Sequence, residues 1–313
     1  MKGMFRVLGV TVAVFFIVLF TTATVSFIKM AWFGSKPGAP AKKTSGEKYV
    51  AVIDMTGVIY TSNKILKRIE KISEDDNVKA VVLRINSPGG VVAPSQEIYE
   101  AIKKLDKKVP VVASMQSLAA SGGYYVALGA RKIYANSGTL TASIGVIMEF
   151  ANLAKLYEWA KVERYEITAG KLKGLGSETR PMRPEERAIF ESMLSDIHGI
   201  FKAVVKERRK LTDAEVEQTC DGRIMTGHQA KVAKLVDELG GFQPAVADAK
   251  KLGNLPENAP VHEADGQEGF LKKWFLGDDE AEGLSAIGEA LSSLNQSLRS
   301  GWRVMLLAPV ASK

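Results

Sequence analysis

Cysteine and histidine are almost missing from this 313-residue sequence, which has one of the first and three of the second. A lone Cys220 excludes an internal disulfide in any compartment. The residues after it, DGRIMTG, bring neither a second cysteine nor a histidine pair, so a buried thiol is expected rather than a metal or catalytic one. His198 lies in a long amphipathic stretch, His228 beside a helix start and His262 in an irregular tail. None has the setting of a catalytic triad, and the motifs G-x-S-x-G and H-E-x-x-H are both absent. The sequence also lacks an internal repeat and an extended low-complexity tract. Its net charge of +7 is scattered among acidic residues rather than gathered into a stripe, and aromatic residues are only 8%. A nucleic-acid partner is therefore not expected, nor is any metal or cofactor.

A long uncharged and strongly apolar stretch stands near the start of the sequence. Residues 7–28, VLGVTVAVFFIVLFTTATVSFI, are 22 consecutive uncharged residues, enough at helical rise to cross a bilayer core of about 30 Å. The run exceeds the signal-peptide core of about 7–15 residues and no clean A-x-A cleavage site follows it, so an uncleaved single-pass anchor in residues 1–31 is expected. Lys2 and Arg6 precede it, whereas Lys29, Lys36, Lys42 and Lys43 follow it. That count leans against export of the rest of the chain, although the rule weakens before a long domain. Trp32 and Phe33 suit the membrane interface, and residues 32–48 form a Gly/Pro/Lys linker.

From Tyr49 onward, short apolar runs alternate with helical periodicity. YVAVIDMTGVIY reads as a strand, Asn63 to Glu74 as a helix, AVVLRIN as a buried strand, Pro94 to Leu105 as a helix, and VPVVASM as a further strand. KIYAN, SIGVIMEF and ERYEIT are expected strands around a helix in NLAKLYEWAKV. Such alternation predicts an α/β fold with a largely parallel sheet. Pro184 to Arg209 is the longest helical pattern, and its stripe Ile189, Met193, Ile197, Ile200, Phe201 and Val204 is expected to face the core. Thr212 and Glu215 form a capping box. Past Gly253 the sequence turns irregular, so residues 254–313 are expected to be an amphipathic tail outside the core.

Two glycine turns end predicted parallel strands, Asn86-Ser87-Pro88-Gly89-Gly90 and Ala120-Ser121-Gly122-Gly123. Glycines at the carboxyl ends of such strands let backbone N–H groups approach a substrate carbonyl, as an oxyanion hole requires. Ser121 then becomes a candidate nucleophile, with its hydroxyl expected to sit exposed at a helix N-terminus. With the histidines set aside, lysine is the remaining base, and it serves only if burial or positive neighbours lower its pKa. The glycine-rich loop TAGKLKGLGS, residues 168–177, offers Lys171 and Lys173 among apolar neighbours, and residue chemistry does not choose between them.

The stretches LRINSPGGVVAPSQEIYEAI, SLAASGGYYVA, AGKLKGLGS with RPMRPEER, and DGRIMTGHQAKVAKLVDELGG together resemble the short bacterial form of the SppA signal peptide peptidases. The resemblance covers residues 49–253, and the anchor matches too. It implies a serine–lysine endopeptidase of ClpP/crotonase-like fold, a superhelix of repeated ββα units. Ser121 would be its nucleophile and Lys173 its general base, with Lys171 a flanking charge. Gly90 and Gly122 would supply the oxyanion-hole amides, and Ser143, in TASIG, would orient the dyad. The resemblance further implies cleaved signal peptides or other apolar peptides as substrates, and a homo-oligomeric ring or dome in which the lysine comes either from the same chain or from a neighbour. The catalytic domain would sit on the extracytoplasmic side of the bacterial inner membrane. One departure is Lys234, where the family pattern has glycine before Leu235. Rival readings are a crotonase-like acyl-CoA hydratase or isomerase and an inactive ring-forming scaffold. The last residues, MLLAPVASK, resemble a signal-peptide core followed by small residues. An amphipathic tail packing on a subunit or the membrane is the plainer reading, and occupation of the groove is its alternative.

Overall fold

The computed structural model describes residues 46–264 and the strand Met305–Leu307. The chain divides into two compact units, residues 1–47 and 48–313. The expected span at 7–28, most of the linker and most of the tail lie outside the described residues. Among the described residues no helix is long and apolar enough to cross a membrane.

The main sheet is built on β1 (Tyr49–Thr56), β2 (Val78–Ser87) and β4 (Val111–Ala120). These pair in parallel, in the order β4, β2, β1. Side chains of a strand alternate between its two faces, and here both faces are apolar. Ala51, Ile53, Val81 and Leu83 face α1 (Asn63–Glu74) and α2 (Val92–Lys108), whereas Val50, Val52, Ala80 and Val82 face α8 (Phe242–Leu252). A nearly continuous apolar run such as VKAVVLRINS is therefore what a strand covered on both sides requires. The mixed α/β fold with a mostly parallel sheet is as expected.

Several local expectations are corrected. SIGVIMEF forms no continuous strand: β6 is Leu140–Ala142, and the left-handed φ of 62° at Ala142 and 51° at Ser143 ends the extended run there. ERYEIT is not a strand either. It lies on the surface with Tyr165 83% and Ile167 97% exposed. Within NLAKLYEWAKV the helix is only α4 (Ala154–Trp159). The long helix α5 does span Pro184–Arg209, but its stripe is not all core, since Met193 and Ile200 remain 44% and 42% exposed. Its second half docks through Phe201 and Val205. Its first half meets the segment before it, with the Phe150 and Phe190 rings 4.5 Å apart. Past Gly253 the chain adds β9 (Val261–Glu263) to the free edge of β1, so the sheet continues into the stretch expected to be tail.

Lys234 has a φ of 61°, a conformation that suits glycine, which gives the family's glycine at this place a physical reason. Lys234 also bonds Glu215, the capping-box residue of α6 (Asp213–Thr219). With the Lys234 bond and the Thr212 N–H and hydroxyl bonds, the Glu215 carboxyl is held down at about 2. A carboxyl lowered on folding stabilises above its unfolded pKa, and that contribution fades as pH falls through the folded value. The melting-temperature difference between wild type and Glu215→Gln is therefore expected to be constant above about pH 5 and to shrink toward pH 2. Thermal melts across that range check it.

Candidate active site

The two glycine turns lie against each other at the carboxyl ends of β2 and β4. After Ser87 the chain turns through Pro88 and Gly89, whose φ of 102° suits glycine, into β3 (Gly89–Val91). Ser87 Oγ accepts from the Gly89 amide at 3.1 Å. Ile59 bonds β3 on one side, its N–H donating to Gly89 O at 2.9 Å and its carbonyl accepting from Val91 N at 2.7 Å. Because N–H and C=O groups alternate along a strand, those of Gly90 face the opposite edge. A Cβ on Gly90 would lie 2.1 Å from Ile59 O, so the close approach admits only glycine.

Ser121 joins β4 to the short helix α3 (Gly122–Ala127) with φ 52° and ψ −116°, a strained backbone for a residue with a side chain. Two bonds hold it there, Ser121 N to Ala142 O and Tyr125 N to Ser121 O, each 2.8 Å. A Cβ on Gly122 would lie 3.1 Å from Gly90 N and 2.6 Å from Ser95 Oγ, and one on Gly123 would lie 2.9 Å from Ser87 O. The glycines after each serine are thus what lets one turn nest in the other, which brings Ser121, Gly122 and Gly90 together. Contrary to expectation, Ser121 is fully buried rather than exposed.

Ser143 is also buried and follows the residue whose carbonyl holds Ser121 N–H, and its own amide donates to Arg223 O at 2.9 Å. His198 braces the same turn. Its Nε2 lies 3.0 Å from Ile144 O and 2.8 Å from Cys220 O, two acceptors, so this nitrogen carries the proton. The histidine is structural, as its sequence context predicts. Burial pushes the Cys220 thiol up, which keeps it protonated and inert.

Lys173 is not joined to Ser121. It is exposed on the loop after Gly170, its amide bonded to Gly170 O at 3.1 Å. Among the described residues Ser121 Oγ has no hydrogen-bond partner. Lys171 points to Glu185, 3.9 Å away. The stretch leading into this loop exposes several large side chains, Trp159 80%, Tyr165 83% and Ile167 97%, and Leu172 within the loop is 43% exposed.

One strand was missed by sequence reasoning in its placement. Residues Met305–Leu307 form β10, which pairs antiparallel with β3 in the register Met305 to Val91, Leu306 to Gly90 and Leu307 to Gly89. This pairing lays Met305–Leu307 along β3, beside Gly90.

The profile of Peptidase family S49 matches residues 103–256. A Synechocystis protein named as a protease is 38% identical over 243 residues, which are 77% of this chain and 87% of that protein. The chain belongs to peptidase family S49. This S49 peptidase is also 37% identical over 206 residues to the chloroplastic serine protease SPPA of Arabidopsis thaliana, covering 66% of this chain and 30% of that one. It is 34% identical over 224 residues to an Enterococcus faecium protein named as a signal peptide peptidase SppA, covering 71% and 65%. A CoA-ligase profile matches residues 20–149 as well. The protease relatives extend over a larger share of the peptidase and carry the assignment.

Proposed function

We propose that this S49 peptidase is a membrane-anchored serine endopeptidase that degrades cleaved signal peptides through Ser121 and a lysine base, Lys173, lent by a neighbouring copy. The observation that carries the reading is β10. An extended segment of the chain adds to the edge of β3 on which the Gly90 N–H lies, and does so directly beside Ser121. Adding a strand to a sheet edge recognises peptide backbone with little regard to side chains, as a degradative peptidase needs.

In this mechanism the lysine takes the proton of Ser121 Oγ as that oxygen attacks the peptide carbonyl. The amides of Gly90 and Gly122 hold the oxyanion, the amine leaves with the proton, and water hydrolyses the acyl-enzyme. Because only the neutral amine accepts a proton, activity is expected to rise with pH. A base from outside the chain is supported by the unpartnered Ser121 Oγ and by the exposed apolar side chains Ile167 and Leu172 before and within the Lys173 loop, which a second copy would cover in a ring or dome. Ser143 supports the dyad by fixing the turn at Ala142. The ClpP/crotonase type of superhelix, the anchor at 7–28 and the extracytoplasmic side of the bacterial inner membrane complete the reading.

The test is purified wild type, Ser121→Ala and Lys173→Ala protein on a fluorogenic apolar peptide and on casein. Equal cleavage by all three sinks the dyad. Absence of cleavage by wild type, with an intact ring, favours the scaffold, and turnover of an acyl-CoA favours the hydratase. The tail gives a second expected result. Leu306 lies opposite Gly90, so its carbonyl is the one offered to the oxyanion amides, and removal of residues 303–313 should raise peptidase activity. Mass spectrometry of wild type should find a chain ending at Leu306 that the Ser121→Ala protein lacks. Unchanged activity together with an intact wild-type C-terminus removes the tail from the groove.

A further inference from the structure

The motif RPMRPEER, residues 180–187, has no part in the chemistry above, yet it contains the one fully buried carboxylate among the described residues. Glu186 accepts five hydrogen bonds. Arg180 donates through Nη1 to Oε2 at 2.9 Å and through Nη2 to Oε1 at 2.6 Å. Arg183 donates its backbone N–H to Oε2 at 2.9 Å, and its Nε and Nη2 to Oε1 at 3.0 and 2.7 Å. Arg180, foremost among these donors, holds the Glu186 carboxyl well below the usual carboxylate range.

The Arg183 bonds are accounted for by capping, since they close the first turn of α5, where Pro184 stands at the start. Those of Arg180 are not. Its Nη2 also donates to the carbonyl of Gly174 at 2.8 Å, so one guanidinium bridges the base of a rigid helix and the Gly174–Leu175 peptide, one residue past Lys173. The backbone of that loop is otherwise tied by short-range turns, Lys173 N to Gly170 O and Leu175 N to Leu172 O, and its other side-chain ties include the exposed pair Lys171–Glu185 at 3.9 Å and Ser177 Oγ to Glu166 Oε1 at 3.3 Å. A planar guanidinium gripped on two sides is a far stiffer strut than a glycine-rich loop.

We propose that Glu186 is a positioning residue: through Arg180 it fixes the Gly174–Leu175 peptide, one residue beyond Lys173, and so sets where the lysine is presented to the serine of the neighbouring copy. This rests on Lys173 being the base. It gives the buried carboxylate a purpose beyond capping, since a base displaced by about 1 Å costs up to about a hundredfold in rate.

Arg180→Lys is the sharper test, because it keeps a cation for Glu186 and leaves the Arg183 cap untouched but lacks the fork needed to hold both acceptors. Glu186→Gln is the second variant, and Lys173→Ala the reference. All are assayed as full-length oligomers for kcat and KM on a fluorogenic peptide, with hydrogen exchange at residues 171–176. Arg180→Lys and Glu186→Gln are expected to lower kcat by about 10–100-fold with KM within about twofold, and to speed exchange in that loop. A merely structural carboxylate would lower the melting temperature and leave the kcat of folded protein alone. Wild-type kcat and loop exchange in both variants, with Lys173→Ala inactive, overturns the positioning role and spares the dyad. Full activity of Lys173→Ala overturns the dyad and this inference with it.

Discussion

Ser121→Ala and Lys173→Ala are each expected to lose peptide hydrolysis by about a thousandfold or more, and a mixture of the two is expected to recover part of it. Loss of a nucleophile leaves only what binding and the oxyanion amides contribute. Recovery follows from the geometry. Lys173 is exposed while Ser121 is buried without a partner for its hydroxyl among the described residues, so the proposed dyad is expected to form across a contact between copies. In a randomly mixed ring a site works when its serine comes from one variant and its lysine from the other. Each has a chance of one half, so roughly a quarter of the sites are restored. A dyad built within one chain restores none. The mixture must be made by co-expression or by dissociation and reassembly, with the singly expressed variants as blanks.

Gly90→Ala is expected to be nearly as damaging, for a different reason. The new methyl would sit 2.1 Å from Ile59 O, closer than any side chain can give way to, because the obstacle is backbone. Relief requires β3 to leave Ile59, which breaks the Ile59 N to Gly89 O and Val91 N to Ile59 O bonds and turns the Gly90 N–H away from the substrate carbonyl. Loss of one oxyanion donor costs about 10²–10³ in kcat, and the displaced strand should also weaken peptide binding and raise KM. Gly122→Ala should be milder, since its closest obstacle, Ser95 Oγ at 2.6 Å, is a side chain that can rotate. Gly138→Ala is the control, because nothing lies within 4 Å of its added methyl. Near wild-type kcat/KM in folded Gly90→Ala protein would remove Gly90 from the oxyanion hole.

Much of this was legible in the amino-acid order because it is local. The helix Asn63–Glu74 and the helix Pro184–Arg209 follow from periodicity and a starting proline, and both end where the pattern ends. The buried strand around AVVLRIN follows from a run too apolar for any half-exposed position. Ser121 could be singled out because a serine and two glycines at the end of such a strand have few other uses.

Other features needed the folded chain. ERYEIT has the composition of a strand, but no neighbouring edge is offered to it, and a strand without a partner is not a strand. Met193 and Ile200 keep the helical spacing of core residues, yet α5 outruns the core it packs on. The helix start at Pro184 was readable, whereas the bridge from Glu186 through Arg180 to Gly174 depends on where a loop folds back. By itself the sequence determined the strands, the helices and which serine stands at a glycine turn, since backbone preference and apolar periodicity act within a few residues. Only the tertiary structure decided that Ser121 is buried, that Gly90 faces it, and that Lys173 lies apart on an exposed loop, because burial and distance are set by segments far apart in the chain.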